Sequence, residues 1–351
     1  MLKYYIWLHE LRGVSLKDKH LMLGYFRTPK NLYEATKLDF PKEYKGKLIL
    51  SKEIKKKGME DSEHILIENQ KYGIQSLTIH DPNYWIKRRI LSDVPIILYY
   101  KGKIEKPTNG TALIVGTRKA TEYGIATAQL ICSEYVEKKW TIISGLALGI
   151  DSIALQKAIN LGGTTYGFIT NGLDICYPRK NSRLQEAMIN QGAIISPYSV
   201  GTPSLKYHFV KRNELMTILS DEVVVVEGGI KSGAVTTGRF GLKKGKKVFA
   251  VPNNIFAESS SGCNTLLGEG ALPYQLHTSS IKKQAKKSED IDLNKTAKCI
   301  LDLLKVIPLS TQELSNKLNI NIDRIKTELL ALELQGQVRY ERDGNWHYIG
   351  W

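Results

Sequence analysis

Short apolar runs alternate with amphipathic stretches through the middle of the chain. Ala112–Val115 and Thr141–Ser144 have the length and composition of buried strands, and the segment between them has helical periodicity. A glycine-bearing loop follows each strand, Gly116–Gly124 after the first and Gly145–Gly149 after the second. Two strand-loop-helix units in succession predict a parallel sheet with both loops at its carboxyl edge.

The same alternation continues beyond these two units. Further strands are predicted at residues 164–170, 193–196, 222–226 and 247–250, with helices from about Ser182 and from Val210 to Leu219. The four consecutive valines Val223–Val226 are typical of a central strand that is buried on both faces. Ile74–Ile79 and Ile96–Tyr100 are expected to extend the sheet, so the predicted fold class is α/β.

Helical patterns flank this core on both sides. Residues 1–73 contain short amphipathic segments separated by turn signals, which predicts a small N-terminal helical domain before a core at 74–278. The polar, lysine-rich stretch 279–292 predicts a linker. Three amphipathic patterns and a strand-turn-strand pattern then predict a winged helix-turn-helix over 293–351, with Ser310–Glu313 as a capping box.

The charge balance favours a polyanionic partner. The 351 residues include 50 Lys and Arg against 35 Asp and Glu, a formal net charge of +15. The four cysteines, Cys132, Cys176, Cys263 and Cys299, form no C-x-x-C pair, which fits a reducing cytoplasm and predicts no disulfide framework. No apolar run approaches the ~18–20 residues of a membrane span, so we expect a cytoplasmic protein without membrane insertion.

The glycine loops predict a phosphate-bearing ligand. Glycines let the backbone approach a ligand closely, and the N-terminus of the helix that follows favours an anion. Arg118 and Lys119 add two positive charges. We interpret Ser144 as a phosphate contact or a turn cap, because no G-x-S-x-G elbow and no partner base accompany it. Asp151, at the start of a predicted helix, is interpreted as its cap.

Several kinds of catalytic and cofactor site find no support in the motifs. Position 118 is an arginine where the dinucleotide fingerprint G-x-G-x-x-G requires glycine, and the segment Gly241–Lys247 does not match a P-loop. The seven histidines lack metal-binding spacing. We therefore predict no metal, no cofactor and no nucleotide hydrolysis.

A second cluster combines cations with a ring. Lys206, Lys211 and Arg212 surround Phe209 just before and at the start of a predicted helix. Cations that contact phosphates, interleaved with rings that stack on bases, are typical of single-strand binding. The sequence leaves open whether Phe209 stacks on a base or packs into the core. The other lysine-rich run, Lys42–Lys57, is interpreted as a solvated helix face.

These motifs, in this order, resemble the DNA-processing protein A family (DprA, also called Smf). The matching positions include Val115-Gly-Thr-Arg118, Ser144-Gly-Leu-Ala147, Gly149-Ile-Asp151, Tyr177-Pro178, Gly201-Thr-Pro203, Arg212-Asn213 and Val248–Pro252. The resemblance implies an extended Rossmann-like core with a helical, SAM-like domain before it and a winged helix after it. It also implies a non-enzymatic homodimer that binds and protects single-stranded DNA and loads the RecA recombinase during natural transformation.

The resemblance also implies a set of DNA-contacting positions. Those expected to hold the DNA backbone are Gly116, Thr117, Arg118, Ser144 and Gly145, with Lys119 beside them. Those expected to extend a basic track are Lys206, Lys211, Arg212 and Asn213, and Phe209 is expected to stack on a base. The chain departs from the family pattern at Leu148 and Glu214, where basic residues are usual, and at Leu155, Val210 and Asn253.

Two alternatives remain open at this point. Glu227-Gly228-Gly229 with Thr236-Thr237 is faintly similar to Rossmann-like sheets that cleave nucleotides, although no second carboxylate is in register. The winged helix could instead regulate transcription on duplex DNA, but residues 323–334 offer only Arg324 and Lys326 as obvious contacts.

Overall fold

A computed structural model describes residues 1–35, 58–85, 93–276, 295–341 and 343–349. The chain divides into two compact units, Met1–Leu276 and His277–Trp351. The lysine-rich run 42–57 and the predicted linker 279–292 lie outside the described residues. The predicted boundary after residue 73 falls within the first unit and stays a prediction.

A large sheet forms the centre of the first unit. Its described strands are β1 Gln75–Thr78, β2 Ile97–Gly102, β3 Thr111–Val115, β4 Thr141–Ser144, β5 Thr165–Phe168, β6 Gly192–Ser196, β7 Glu222–Val225, β8 Lys247–Ala250 and β9 Leu272–Pro273. They pair in the order β1-β2-β6-β5-β4-β3-β7-β8-β9. The run from β6 to β9 is parallel, whereas β2 pairs antiparallel with both β1 and β6. The predicted α/β class and mixed sheet are confirmed.

The central strands β3, β4 and β5 are buried along their whole length, and most of their residues are apolar. In β3, Ala112 and Ile114 belong to the hydrophobic core on one face, whereas Leu113 and Val115 belong to the core on the other. Successive side chains of a strand point to opposite faces, so an unbroken apolar run has to be covered on both. The valines of β7 divide between the two cores in the same way.

Helices provide that cover. The described helices of this unit are α1 Leu2–Glu10, α2 Leu16–Phe26, α3 Pro29–Glu34, α4 Glu60–Lys71, α5 Glu122–Glu137, α6 Ile150–Asn160, α7 Ser182–Gln191, α8 Lys206–Leu219, α9 Gly233–Lys243 and α10 Ser261–Gly268. Helix α1 contributes Ile6, Trp7 and Leu8 to the same core cluster as one face of the sheet. No helix in the described part of the chain is long and apolar enough to cross a membrane.

The second unit has its own small core. Its described elements are α11 Lys295–Leu304, α12 Thr311–Leu318, α13 Ile322–Leu334, β10 Val338–Tyr340 and β11 Trp346–Tyr348. The two strands pair antiparallel, and the predicted capping box is present, with Ser310 and Glu313 bonded reciprocally at the start of α12. Three helices followed by a β-hairpin confirm the predicted winged helix.

Candidate nucleic-acid interface

The candidate site lies where the order of the strands reverses. Strand β3 lies between β4 and β7, and the chain proceeds from β3 through α5 to β4 but from β7 through α9 to β8. Adjacent strands whose connections leave in opposite directions open a crevice at the carboxyl edge of a parallel sheet. The loop 116–121 after β3 and the loop 226–232 after β7 both reach this edge.

A buried carboxylate fills the space between the first two glycine loops. Asp151 is 5 % exposed, accepts a hydrogen bond from the Gly145 N–H at 3.1 Å, and is also bonded by the N–H groups of Gly116 and Ala147. The predicted role of Asp151 as a helix cap is wrong, because Gly149 is the N-cap of α6. Gly149 is required there, since its φ is +81°. These loop N–H groups therefore bond to the protein's own anion.

A second buried carboxylate fixes the loop after β3. Glu227 is fully buried and accepts a hydrogen bond from the Thr121 N–H at 3.0 Å, while its backbone carbonyl accepts one from the Thr117 N–H at 2.7 Å. Helix N-termini in such sheets commonly bind phosphate. Here the Glu227 carboxylate bonds the N–H of Thr121, the N-cap residue of α5, from inside the protein.

The Arg212 side chain connects the loop after β4 with the end of β5. Its guanidinium donates to the carbonyls of Gly145 and Phe168, the latter at 2.9 Å, and its Nε donates to Asn213 Oδ1 at 2.9 Å. Burial lowers the pKa of Arg212 to about 10, although the Asp151 charge opposes this shift, so Arg212 is a cation at neutral pH. Burial raises the pKa of Asp151, against the opposing effect of Arg212 and of the loop N–H groups.

Gly145 is needed for this contact with Arg212. A Cβ at position 145 would lie 2.5 Å from Arg212 Nη1. Any larger residue would therefore displace the guanidinium that bonds the loop carbonyls.

A ring lies beside two guanidinium groups at the mouth of the crevice. The Cζ atoms of Arg118 and Arg212 lie 5.4 and 5.8 Å from the centroid of the half-buried Phe209 ring. The Tyr177 ring lies edge-on to Phe209, with centroids 6.4 Å apart, and a cis peptide bond links Tyr177 to Pro178. Arg118 is exposed whereas Arg212 is buried.

We call the resulting cavity, of about 60 Å³, the aromatic pocket. It is lined by Arg118, Gly145, Leu146, Ala147, Leu148, Ile169, Thr170, Tyr177, Pro178, Phe209 and Arg212. Its lining combines the half-buried Phe209 ring, the exposed Tyr177 ring and two arginine side chains with an apolar wall. A planar, partly apolar group that carries a nearby negative charge is the ligand this combination fits.

The ring-bearing cluster lies on a helix rather than in a loop before it. Helix α8 begins at Lys206, so the predicted start at Val210 is wrong. The first turn is fixed by His208, which is buried, stacks on Tyr198 at 3.8 Å and lies 2.8 Å through Nδ1 from the Thr170 carbonyl. Phe209 and Arg212 are three residues apart and therefore share one face of α8.

The structure brings together part of the predicted site. Four predicted residues line the aromatic pocket: Arg118, Gly145, Phe209 and Arg212. Six others do not line it and lie on the elements that carry the lining residues: Gly116, Thr117 and Lys119 in the loop after β3, and Lys206, Lys211 and Asn213 on α8. Ser144 is fully buried and donates a hydrogen bond to the Ile114 carbonyl at 2.7 Å.

The predicted cations on α8 have different surroundings. Lys206 and Lys211 are exposed, and Lys211 forms an ion pair with Glu214 at 3.0 Å. Asn213 donates to Thr237 Oγ1 in α9 at 2.9 Å, so it joins two helices. Glu214, which departs from the family pattern, therefore neutralises part of the predicted basic track.

Sequence reasoning assigned no contact role to Tyr177 or to the apolar wall Leu146–Leu148. Two signals could have indicated Tyr177: it matches the family pattern, and the Tyr-Pro-Arg-Lys run that contains it follows β5 and so reaches the same sheet edge. Leu148, a departure from the family pattern, lies in the lining of the aromatic pocket. Among the described residues, no group of His, Cys, Asp and Glu is arranged to hold a metal ion.

Two family models match the chain in succession. The model for DNA recombination-mediator protein A matches residues 75–285, and the model for the DprA winged helix domain matches residues 284–344. The first of them covers more than half of the chain. The chain belongs to the DprA family. The second match agrees with the winged helix that the second unit forms.

Known members show how far the similarity to DprA extends. The DNA processing protein DprA of Streptococcus pneumoniae is 35% identical over 211 residues, 60% of this chain and 74% of that protein. A crystal structure of DprA from S. pneumoniae superposes with a TM-score of 0.65 at 26% identity, covering 81% of this chain and 98% of that one. A DprA structure from Helicobacter pylori, whose description concerns its single-stranded DNA binding mode, gives a TM-score of 0.51 at 27% identity, covering 61% and 96%.

Proposed function

We propose that this DprA-family protein binds single-stranded DNA at the carboxyl edge of its sheet and catalyses no reaction. The observation that carries the proposal is the half-buried Phe209 ring with the Arg118 and Arg212 guanidinium groups beside it. A base that stacks on an aromatic ring adds about 1–3 kcal/mol, and an adjacent exposed cation can neutralise its phosphate. The described binding mode of the H. pylori relative supports the same ligand.

The predicted contact residues divide into two groups under this proposal. Arg118, Lys119, Lys206 and Lys211 are exposed and would meet phosphates, with Thr117 beside them, and Phe209 and Tyr177 would meet bases. Gly116, Ser144, Gly145, Arg212 and Asn213 would shape the surface from within, because their polar groups bond to the protein. Strong salt dependence should follow from the phosphate contacts.

Buried polar groups argue against the nucleotide-cleaving alternative. Glu227, the acid of that alternative, is fully buried, and its Oε2 accepts a hydrogen bond from the Thr121 N–H. Thr236 and Thr237 donate their hydroxyls to the carbonyls of Ser232 and Gly233 within their own helix. Glu227 and Thr237, two of the side chains that would have to face a substrate, are therefore buried inside the protein.

The test of binding is fluorescence anisotropy with an unstructured oligonucleotide over a range of salt concentrations. Arg118→Ala should weaken binding and lower the slope of log affinity against log salt by roughly 0.7, the contribution of one phosphate contact on a single strand. Phe209→Ala should weaken binding with little change of slope, because stacking releases no counterions. Arg12→Ala, which removes an exposed arginine outside the pocket lining, is the matched control. Native affinity in both site variants would contradict the proposal.

We further propose that the protein acts as a cytoplasmic homodimer that passes its DNA to a RecA-class recombinase during natural transformation. This step rests on family membership. The measurement is the lag before recombinase ATP hydrolysis on DNA coated with a single-strand-binding protein. The native protein should shorten the lag and Arg118→Ala should not. A native protein that binds DNA but leaves the lag unchanged would contradict the handover and leave the binding proposal intact.

A further inference from the structure

A second, larger groove lies next to the aromatic pocket. It runs along the outer surface of α6 between α5 and α7 and has a volume of about 380 Å³. We call it the α6 groove; it is lined by Gln129, Ser152, Ile153, Gln156, Lys157, Asn160, Lys180, Asn181, Arg183 and Leu184. None of the residue positions predicted from the sequence as DNA contacts falls in it.

The charge of the α6 groove is of one sign. Its lining contains Lys157, Lys180 and Arg183 and no carboxylate. Within the ranges that the structure describes, none of these three side chains forms an ion pair with a carboxylate. Lysine and arginine on an ordinary solvated face are usually interspersed with acidic residues, as Lys211 and Glu214 are on α8. A concave surface with unpaired cations attracts an anion.

The other lining side chains suit a nucleic acid better than a small anion. Gln129, Gln156 and Asn160 carry amides that can both donate and accept hydrogen bonds, and Ser152 adds a hydroxyl. Contacts of this kind to phosphate and sugar oxygens position a strand without reading its sequence. The groove extends from Ser152 in the first turn of α6 to Asn160 at its last residue, so it is long enough for successive phosphates.

One hydrogen bond joins the two cavities. Asn181, which lines the α6 groove, donates through Nδ2 to the carbonyl of Leu146, which lines the aromatic pocket, at 2.8 Å. Pro178 of the pocket and Lys180 of the groove are two residues apart. The aromatic pocket and the α6 groove are therefore neighbours in the structure.

We propose that the α6 groove binds the phosphodiester backbone of the nucleotides that adjoin those held in the aromatic pocket. This inference rests on the proposed single-strand binding and extends it by a second set of contacts. A strand that occupies both cavities contacts two sets of cations, whereas a strand too short to leave the aromatic pocket contacts one. Comparing the binding of short and long oligonucleotides therefore distinguishes contacts in the aromatic pocket from contacts in the α6 groove.

The experiment compares two unstructured oligonucleotides, of about four and about sixteen nucleotides, on the full-length protein. The variant K157A/K180A/R183A should bind the short one as the native protein does. For the long one its salt slope should fall by about 2, that is roughly 0.7 for each of three lost contacts. Over about a fourfold rise in salt, the native affinity should thus fall roughly 20-fold further than that of the variant.

Two further variants control for charge and folding. K17A/K138A/K243A removes the same charge from exposed lysines outside both cavities and should retain most of the native slope for the long oligonucleotide. K157R/K180R/R183K keeps the charge in the α6 groove and should bind both oligonucleotides as the native protein does. Equal melting temperatures of all variants establish that binding is compared between folded proteins.

The outcomes separate the inference from the proposed function. If K157A/K180A/R183A binds the long oligonucleotide like the native protein, or loses affinity for both lengths equally, the inference is overturned. If Arg118→Ala binds both lengths like the native protein, the proposed function itself fails. The inference is supported if K157A/K180A/R183A binds only the long oligonucleotide more weakly than the native protein does, while Arg118→Ala binds both lengths more weakly.

Discussion

Arg118 and Arg212 lie within 6 Å of the same ring centroid and have different surroundings. Arg118 is exposed, so its charge is available to a ligand. Arg212 is 5 % exposed and bonds to the carbonyls of Gly145 and Phe168. Sequence reasoning grouped both as DNA contacts, because residue type gives charge but not burial. The electrostatic attraction between Arg212 and Asp151 joins distant parts of the chain and could not be read from local pattern.

We expect this difference to appear in stability. Arg212→Ala should lower the free energy of unfolding by about 3 kcal/mol, because it leaves two buried carbonyls without their donor and removes the cation that attracts the buried Asp151 carboxylate. Arg118→Ala should change it by less than about 0.5 kcal/mol, as is usual for an exposed side chain. Urea unfolding followed by circular dichroism measures both. Equal stabilities of the two variants would contradict the buried role assigned to Arg212.

At the scale of elements, the central strands were predictable and the start of α8 was not. The valines of β7 specify a buried strand by composition alone. Helix α8 has no capping side chain at Leu205, and its first turn is fixed by the burial of His208 against Tyr198. Tertiary packing of this kind overrides local signals, which is why the predicted helix began four residues late, at Val210.

Helix α12, by contrast, carries its start signal in its own sequence. Ser310 Oγ accepts from the Glu313 N–H, and the Glu313 carboxylate accepts from the Ser310 N–H at 2.8 Å. Ser310→Ala should cost the winged-helix unit about 1 kcal/mol. Hydrogen exchange in full-length protein should show faster exchange in α12 and none of that change in α9. Unchanged protection in α12 would contradict the assigned cap.

The same cap predicts a dependence on pH. Hydrogen bonds from Ser310 hold the pKa of Glu313 below its ordinary value of 4.5. A carboxylate with a lowered folded-state pKa stabilises the fold above the unfolded-state pKa, and this contribution is lost as pH falls through the lowered value. The protection of α12 should therefore decrease below about pH 4.5. Glu313→Gln should remove this pH dependence and serves as its control.

At the scale of the whole molecule, the net charge of +15 predicted a polyanionic partner but not its location. The location followed from strand order, because the loops after β3 and β7 meet where the order of the strands reverses only once the sheet is assembled. Two free cysteines give a direct measure of that location. Cys176 is exposed next to Tyr177 in the first unit, and Cys299 is exposed in α11 of the second.

Single-stranded DNA should protect Cys176 from a thiol reagent in proportion to the fraction of protein bound. Cys132 and Cys263 should not react in the native protein, because burial raises the pKa of each thiol to about 12. Peptide mass spectrometry after brief labelling measures each cysteine separately, with Cys299 as the internal reference. Equal labelling of Cys176 with and without saturating DNA would contradict a site at the aromatic pocket.

The carboxylates of Asp151 and Glu227, which bond the loop N–H groups from inside, have a consequence for the living cell. A Rossmann-like sheet usually keeps those groups free for a soluble cofactor, and abundant metabolites such as ATP would then compete with any other ligand. Here the protein has supplied that anion itself. In a cell, ATP should therefore compete poorly with DNA for this edge of the sheet.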